Sequence, residues 1–287
     1  MEFVKAHGTG NDFVLLADPD DAWSLTAGFV RALCDRHRGL GADGVIRIAP
    51  PRRGVDADVF MDYRNADGTV AEMCGNGVRC VAKYVADRVG GDAVAVDTRA
   101  GVKPVVVTDR HADHRVARLR VDMGAPQGVA SETVPLDGTP TEVTTVSMGN
   151  PHAVVQAEPA AAPLAAWAAQ LTGSPLFPHG VNVEVITVSG RDAIAGRIYE
   201  RGVGETLASG SGASAMAVAA HHRGLTGPVV EVALPGGLLE VDWGPATLTV
   251  TGPAEEVASG VLDDGWLARL PDGAAGQDAP TGAGDFP

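Results

Sequence analysis

An internal duplication constrains this chain more than any other feature, because a repeated segment fixes architecture before any single element does. The segment MCGNGVRCVAKYV at residues 73–85 is echoed by ASGSGASAMAVAA at residues 208–220, which sets Cys74 against Ser209 at an offset of 135. A second echo, Gly10-Asn11-Asp12-Phe13-Val14 with Gly149-Asn150-Pro151-His152-Ala153-Val154, lies at an offset of 139. A third, GADGVI ending at Ile46 with VNVEVI ending at Ile186, lies at 140. Three echoes in one order at nearly constant offset predict two related halves with a pseudo-twofold axis between them. Such a pair of copies places the expected binding cleft where they meet.

Local patterns give each half a mixed α/β character. Val55, Ala57, Val59, Met61 and Tyr63 alternate with Asp56, Asp58, Phe60, Asp62 and Arg64, the period of a half-buried strand, and Asp67-Gly68 marks a turn after it. Ala117, Leu119, Val121 and Met123 alternate in the same way, and Ile194 and Ile198 point to a strand leading to Glu200. Phe29, Val30, Leu33 and Cys34 form a helical stripe ended by Gly39-Leu40-Gly41, and Pro163 opens a helix that carries Leu164, Trp167 and Leu171 on one face and stops at Gly173. The segments after Cys74 and Ser209 are apolar around most of their circumference, the pattern of a helix surrounded on all sides. The fold predicted is therefore two pseudo-symmetric mixed α+β domains, each a curled, largely antiparallel sheet around a central helix. Residues 1–115, completed by residues 257–271, form the half carrying Cys74, residues 116–256 form the half carrying Ser209, and residues 272–287, rich in Gly, Ala and Pro, form a disordered tail.

Composition narrows the function. Thirty-six acidic against 22 basic side chains give a net charge of −14, which repels nucleic acid and anionic membranes. No run approaches a membrane span, and MEFVKAHGTGNDF lacks the layout of a secretory signal, so the cytoplasm is expected. The three cysteines, Cys34, Cys74 and Cys80, do not form a disulfide framework or a metal pair. Cys34 and Cys80 read as core. The histidines at 111, 114, 221 and 222 read as surface residues with no ligand partners, and no metal is expected.

The chemistry concentrates at the two helix starts. Cys74 precedes Gly75-Asn76-Gly77, where unpaired backbone amides favour a thiolate and side chains of minimal size let a carboxylate approach. Ser209-Gly210-Ser211-Gly212 repeats the arrangement. Two such starts could grip one α-carboxylate and place a side chain on each face of an α-carbon, which is the geometry of two-base epimerisation. Asn11, Asn65, Asn76, Asn150 and Asn182 sit beside turns or strand ends, where an Asx-turn is the ordinary role, although Asn11 and Asn150 are also duplication mates. His152 either packs or orients a base, and Arg201 either makes a solvated ion pair or clamps a second carboxylate.

GTGNDFV, MCGNGVRC, MGNPH, FPHGVNVEVI and ERGVGETLASGSGA, in that order, resemble the motif set of the diaminopimelate epimerases over residues 1–270. The resemblance implies cofactor-independent interconversion of LL- and meso-diaminopimelate by a homodimer. It implies Cys74 as one acid/base, His152 and Glu200 as supports, Asn11, Asn65, Asn150, Asn182 and Arg201 as substrate contacts, and Gly75, Asn76, Gly210 and Ser211 around the α-carboxylate. One position departs: the second catalytic cysteine of that family falls at Ser209, and a later cysteine falls at Ser214. A serine hydroxyl is a far weaker acid than a thiol, so weakened epimerisation is expected. An introduced change and a natural loss of the thiol both fit. A one-thiol amino-acid racemase, a dehydratase of hydroxylated amino acids and a non-catalytic amino-acid binder are the competing functions. A pyridoxal enzyme fits poorly, since only Lys5, Lys83 and Lys103 are present and none has a pocket-like context.

Overall fold

The computed structural model describes residues 1–270, so the tail expected to be disordered lies outside the described residues. The chain forms two compact units, one of Met1–Gly8, Asp12–Val121 and the chain from Pro253, the other of Thr9–Asn11 and Asp122–Gly252. Strands dominate both, with few helices. No described helix is long and apolar enough to cross a membrane.

In the first unit, Glu255–Val261 pairs antiparallel with Glu2–Gly8, and Asn11–Ala17 runs parallel to Gly44–Ala49 with Phe13 opposite Gly44. Val59–Asn65 follows antiparallel, then Ala93–Thr98 parallel to it, then Gly101–Arg110 antiparallel. Helix α1, Ala27–Cys34, begins where the Thr26 hydroxyl accepts the Phe29 amide at 3.1 Å, a cap worth about 1 kcal/mol. Its apolar stripe buries Phe29, Val30, Leu33 and Cys34 against Val14, Leu16 and Val45. Helix α2, Gly75–Val89, packs against strands 2–8, 59–65, 93–98 and 101–110 and buries eleven residues on all its sides. That is why its sequence shows no single apolar stripe.

The second unit repeats the order of pairings. Pro151–Gln156 runs parallel to Asn182–Val188, Ala193–Glu200 follows antiparallel, Val229–Leu234 runs parallel to that, and Gly237–Trp243 closes antiparallel. The hairpin Gln127–Leu136 and Thr139–Ser147 flanks Pro151–Gln156. Helix α3, Leu164–Thr172, starts after Pro163, ends at Gly173 and buries Leu164, Ala168 and Leu171, with Trp167 only partly covered. Helix α4, Gly210–His222, packs among strands 139–147, 151–156, 182–188, 229–234 and 237–243, and its many alanines let those strands approach closely.

Two details differ from the sequence reading. The strand expected from Val55 starts at Val59 and is buried on both faces, so Asp62 lies inside. Arg64 and Arg99 bond it at 3.2 and 2.8 Å, and Arg47 lies 3.5 Å away, which explains how a carboxylate fits there. His221 is half-buried rather than a surface group, with its ring 5.4 Å from that of Trp243 and Nδ1 3.0 Å from the Thr226 carbonyl.

Candidate active site

Each unit builds one helix start of the same form. Cys74 occupies the N-cap of α2 with φ −142° and ψ 119°, and Ser209 occupies the N-cap of α4 with φ −139° and ψ 130°. Near-identical extended dihedrals aim both side chains alike relative to their helices. The third helical residue is glycine in each, and for a close-approach reason. A Cβ on Gly77 would come within 2.9 Å of Ile46 Cδ1 and Met61 Cε, and one on Gly212 within 2.8 Å of Ile198 Cδ1 and 3.1 Å of Glu184 Oε1.

In the first unit, Cys74 is partly exposed while Gly75, Asn76 and Gly77 are buried beneath it. Its thiol makes no N-capping bond, and its carbonyl accepts the Val78 amide at 2.8 Å. Asn76 accepts from Arg79 Nη2 at 2.7 Å, and Arg79 Nε donates to the Pro253 carbonyl at 3.1 Å. Arg79 is wholly buried, and this desolvation pulls its pKa down to about 10 against the opposing influence of the Cys80 and Cys74 thiols. Burial pushes Cys80 up to about 12 and Cys34 likewise to about 12, which makes both inert core thiols. Asn65 ends its strand in the turn through Asp67-Gly68, where its amide nitrogen donates to Thr69 Oγ1 at 3.0 Å.

In the second unit the groups around the helix start are ionisable. The Ser209 hydroxyl accepts the Gly212 amide at 3.3 Å and lies 3.4 Å from Ser211 Oγ, while Ser214 donates to the Gly210 carbonyl at 2.8 Å. Glu200 accepts from the Thr206 hydroxyl at 2.7 Å. Burial nevertheless raises its carboxyl above the usual range, with the nearby Glu184 adding to the rise. His152 is buried, with Nδ1 2.7 Å from Glu184 Oε1 and Nε2 2.9 Å from Asn150 Oδ1. The structure thus links Asn150 through His152 to Glu184, whose Oε1 lies beneath Gly212, with Glu200 near that pair and Gly210 and Ser211 following Ser209 at the helix start.

Asn182, Arg201 and Asn11 stand differently. The Asn182 amide brackets two strands, donating to the Pro151 carbonyl at 3.1 Å and accepting the Arg201 amide at 2.9 Å. Arg201 itself is exposed and donates to the His179 carbonyl at 2.7 Å. Asn11 groups with the second unit, following Thr9 and Gly10 at φ 55° and 83°. Glu184, Thr206 and Arg79 were not foreseen. Two of them had a visible signal: a charge inside the apolar run Val183–Ile186, and a guanidinium between the apolar residues Val78 and Cys80 of a buried helix. Among the described residues, no group of His, Cys, Asp and Glu side chains is arranged to hold a metal.

Comparison with known proteins gives the ancestry. Residues 3–129 and 144–257 match the diaminopimelate epimerase family. The diaminopimelate epimerase of Rhodococcus jostii is 44% identical over 294 residues, covering 94% of this chain and all of that protein. That of Corynebacterium glutamicum is 43% identical over 271 residues, covering 91% of this chain and 97% of its own. Among solved structures, a probable proline racemase from Agrobacterium radiobacter superposes with a TM-score of 0.69 at 18% identity, covering 92% of this chain and 93% of that one. A PhzF-family phenazine biosynthesis protein from Bacillus anthracis also reaches 0.69, at 15% identity, over 92% of this chain and 99% of its own. The structural neighbours establish the mixed, sheet-rich fold. With duplicated helix starts, matched strand orders and relatives above 40% identity along nearly the whole length, the chain belongs to the diaminopimelate epimerase family.

Proposed function

We propose that this protein interconverts LL- and meso-diaminopimelate without pyridoxal phosphate, by breaking and remaking the C–H bond at one α-carbon. The observation that carries the reading is the pair of helix starts with one backbone geometry, Cys74 on one and Ser209 on the other. The Cys74 thiolate takes the α-proton from one face, favoured by the amino end of α2. The electron pair left behind spreads into the α-carboxylate, which the amides around Gly75, Asn76, Gly210 and Ser211 hold. On the other face Ser209 returns a proton, with the buried carboxyl of Glu200 as the group that exchanges protons with it. Arg201 meets the distal carboxylate, and Asn11, Asn65, Asn150 and Asn182 orient the amino acid.

A hydroxyl in place of a thiol slows the second-face transfer, so turnover is weaker than a two-thiol enzyme allows. Lys5 and Lys83 are committed to ion pairs with Asp12 at 2.6 Å and Asp87 at 3.0 Å, which supports chemistry without a lysine Schiff base. In this reading the halves of the chain are two domains serving one carbon, and the enzyme is a cytoplasmic homodimer. The test is deuterium exchange at the α-carbon of LL- and meso-diaminopimelate for the protein and for Ser209→Cys. The serine form should exchange slowly and the cysteine form at least 100-fold faster, with KM changed by less than about twofold. Equal rates would remove residue 209 from the chemistry, and water loss from a hydroxylated amino acid would identify a one-thiol dehydratase instead.

A further inference from the structure

The contacts beneath the two helix starts allow position-by-position comparison, because Gly77 and Gly212 stand at the same place in their helices. Under Gly77 lie Ile46 and Met61, and under Gly212 lie Glu184 and Ile198. Phe13 pairs with Gly44 and His152 with Asn182, so Glu184 occupies the place that Ile46 holds in the first unit, two residues off the sequence echo that set Ile46 against Ile186. The residue matched to His152 by the offset of the Asn11 and Asn150 motifs is Phe13, which packs edge-on against Tyr63 at 5.7 Å. Ile46 pairs with Tyr63 and Glu184 with Ile198, so Tyr63 matches Ile198. Asn65 precedes Cys74 by the same spacing that Glu200 precedes Ser209, so Asn65 matches Glu200. One fold thus builds this floor twice, once from Phe13, Ile46 and Tyr63 and once from His152, Glu184 and Ile198. Packing alone is satisfied by the apolar version. The ionisable version answers another requirement.

Glu184 is wholly buried, and Oε1 is its one oxygen with a hydrogen-bond partner among the described residues, the His152 Nδ1 at 2.7 Å. The other ring nitrogen, Nε2, faces the carbonyl oxygen of Asn150 at 2.9 Å and must carry hydrogen. A neutral imidazole then offers Nδ1 as a bare acceptor, and a lone pair facing a carboxylate at that distance would be repulsive. A proton has to lie between Nδ1 and Oε1. Burial disfavours a charged Glu184 and raises its carboxyl, which helps retain that proton. Glu200, the other titratable group near the pair, accepts from the Thr206 hydroxyl at 2.7 Å.

We infer that Glu184 is a positioning residue of the epimerase: it fixes His152 as an Nε2–H donor to Asn150 and keeps one proton on the Nδ1–Oε1 line behind the Ser209 helix start. The pair is net neutral whichever atom holds the proton. It therefore orients Asn150 and leaves Glu200 as the group that changes charge beside Ser209. Glu184 does not touch substrate and acts through His152. This inference rests on the epimerase reading for its kinetic part, while its structural part stands without any substrate.

The experiment uses full-length protein with ¹⁵N-labelled histidine, His152 being assigned by its loss in His152→Asn. In the unsubstituted protein Nε2 should carry hydrogen, and a downfield proton resonance should report the hydrogen held between Nδ1 and Oε1 near neutral pH. In Glu184→Gln that resonance should vanish while Nε2 keeps its hydrogen. The kcat for α-proton exchange should fall about 10- to 100-fold with KM within about twofold, and Glu184→Asp should recover part of the loss. Absence of a downfield bridging-proton resonance in the unsubstituted protein, or its persistence in Glu184→Gln, overturns the inference. So does an unchanged kcat in Glu184→Gln. Should Glu184→Gln fail to fold, the spectrum of the unsubstituted protein and the kcat of Glu184→Asp decide the matter. Absence of exchange with any diaminopimelate isomer would defeat the epimerase reading while the histidine spectra still test the pair.

Discussion

Alanine at the two matched glycines separates an adaptable floor from a fixed one. In Gly77→Ala the new methyl group meets the ends of two apolar side chains, Ile46 Cδ1 and Met61 Cε, both at 2.9 Å. The methionine can retreat, so overpacking should cost about 1–1.5 kcal/mol. Replacing glycine in a helix recovers about 0.5–1 kcal/mol, which leaves a net loss below roughly 1 kcal/mol. In Gly212→Ala the methyl meets Ile198 Cδ1 at 2.8 Å, Glu184 Oε1 at 3.1 Å and Ser209 Cβ at 3.3 Å. Glu184 is held by its 2.7 Å bond to His152 and cannot yield without breaking a buried polar contact. Overpacking should reach the upper end, about 3 kcal/mol, for a net loss of roughly 2 kcal/mol. A difference of 1–2 kcal/mol between the variants corresponds to about a 5- to 30-fold difference in opening equilibrium. Amide hydrogen exchange on α2 and α4 reads each helix separately, which avoids assuming that both units melt together. Equal losses, or a larger loss at Gly77, would refute the view that the floor under α4 is the rigid one.

Three further outcomes are expected. Arg201→Ala should weaken binding of diaminopimelate at least tenfold while changing that of a monocarboxylate amino acid by less than about threefold, and isothermal titration with both ligands checks this. Iodoacetamide at pH 8 should label Cys74 alone by peptide mass spectrometry, since thiols raised to about 12 hold roughly one thiolate in ten thousand at that pH. Burial pushes the Asp12 carboxyl up, but hydrogen bonds from Arg36 and Lys5 outweigh it and hold its pKa at about 2. A depressed carboxylate stabilises the fold above the unfolded pKa of about 4 and loses that contribution as pH falls towards 2. Asp12→Asn should therefore remove about 1–2 kcal/mol at pH 6, allowing for partial solvent screening, and nothing near pH 2, as read by urea melts at both values.

Much of the scaffold could be read from the residues because the signals were redundant. Thr26 and the Phe29 to Cys34 stripe specify α1, and Pro163 with Gly173 brackets α3. The central helices were legible through their lack of a polar face. The strand before Asn65 was misjudged because alternating aspartates look solvent-facing until arginines from elsewhere, Arg47 on a neighbouring strand and Arg99 in a turn, supply partners for Asp62. The same limitation hid Glu184. A lone acid in a strand has no sequence neighbour that reveals its companion, and His152 lies 32 residues away. Cys74 and Ser209 stand out through the duplication, and Glu200 and His152 through the family resemblance, whereas the hydrogen bonds of Asn182 to Pro151 and Arg201 depend on strand pairing that no local pattern encodes.

The shared dihedrals of Cys74 and Ser209 carry a consequence for how such proteins change. Because the main chain at either place is indifferent to which small side chain it bears, one nucleotide substitution in a codon can exchange sulfur for oxygen there without any adjustment of the surroundings. Lineages built on this plan can therefore drift between reactive and quiescent forms while their architecture stays constant, so shape is a poor guide to turnover among them.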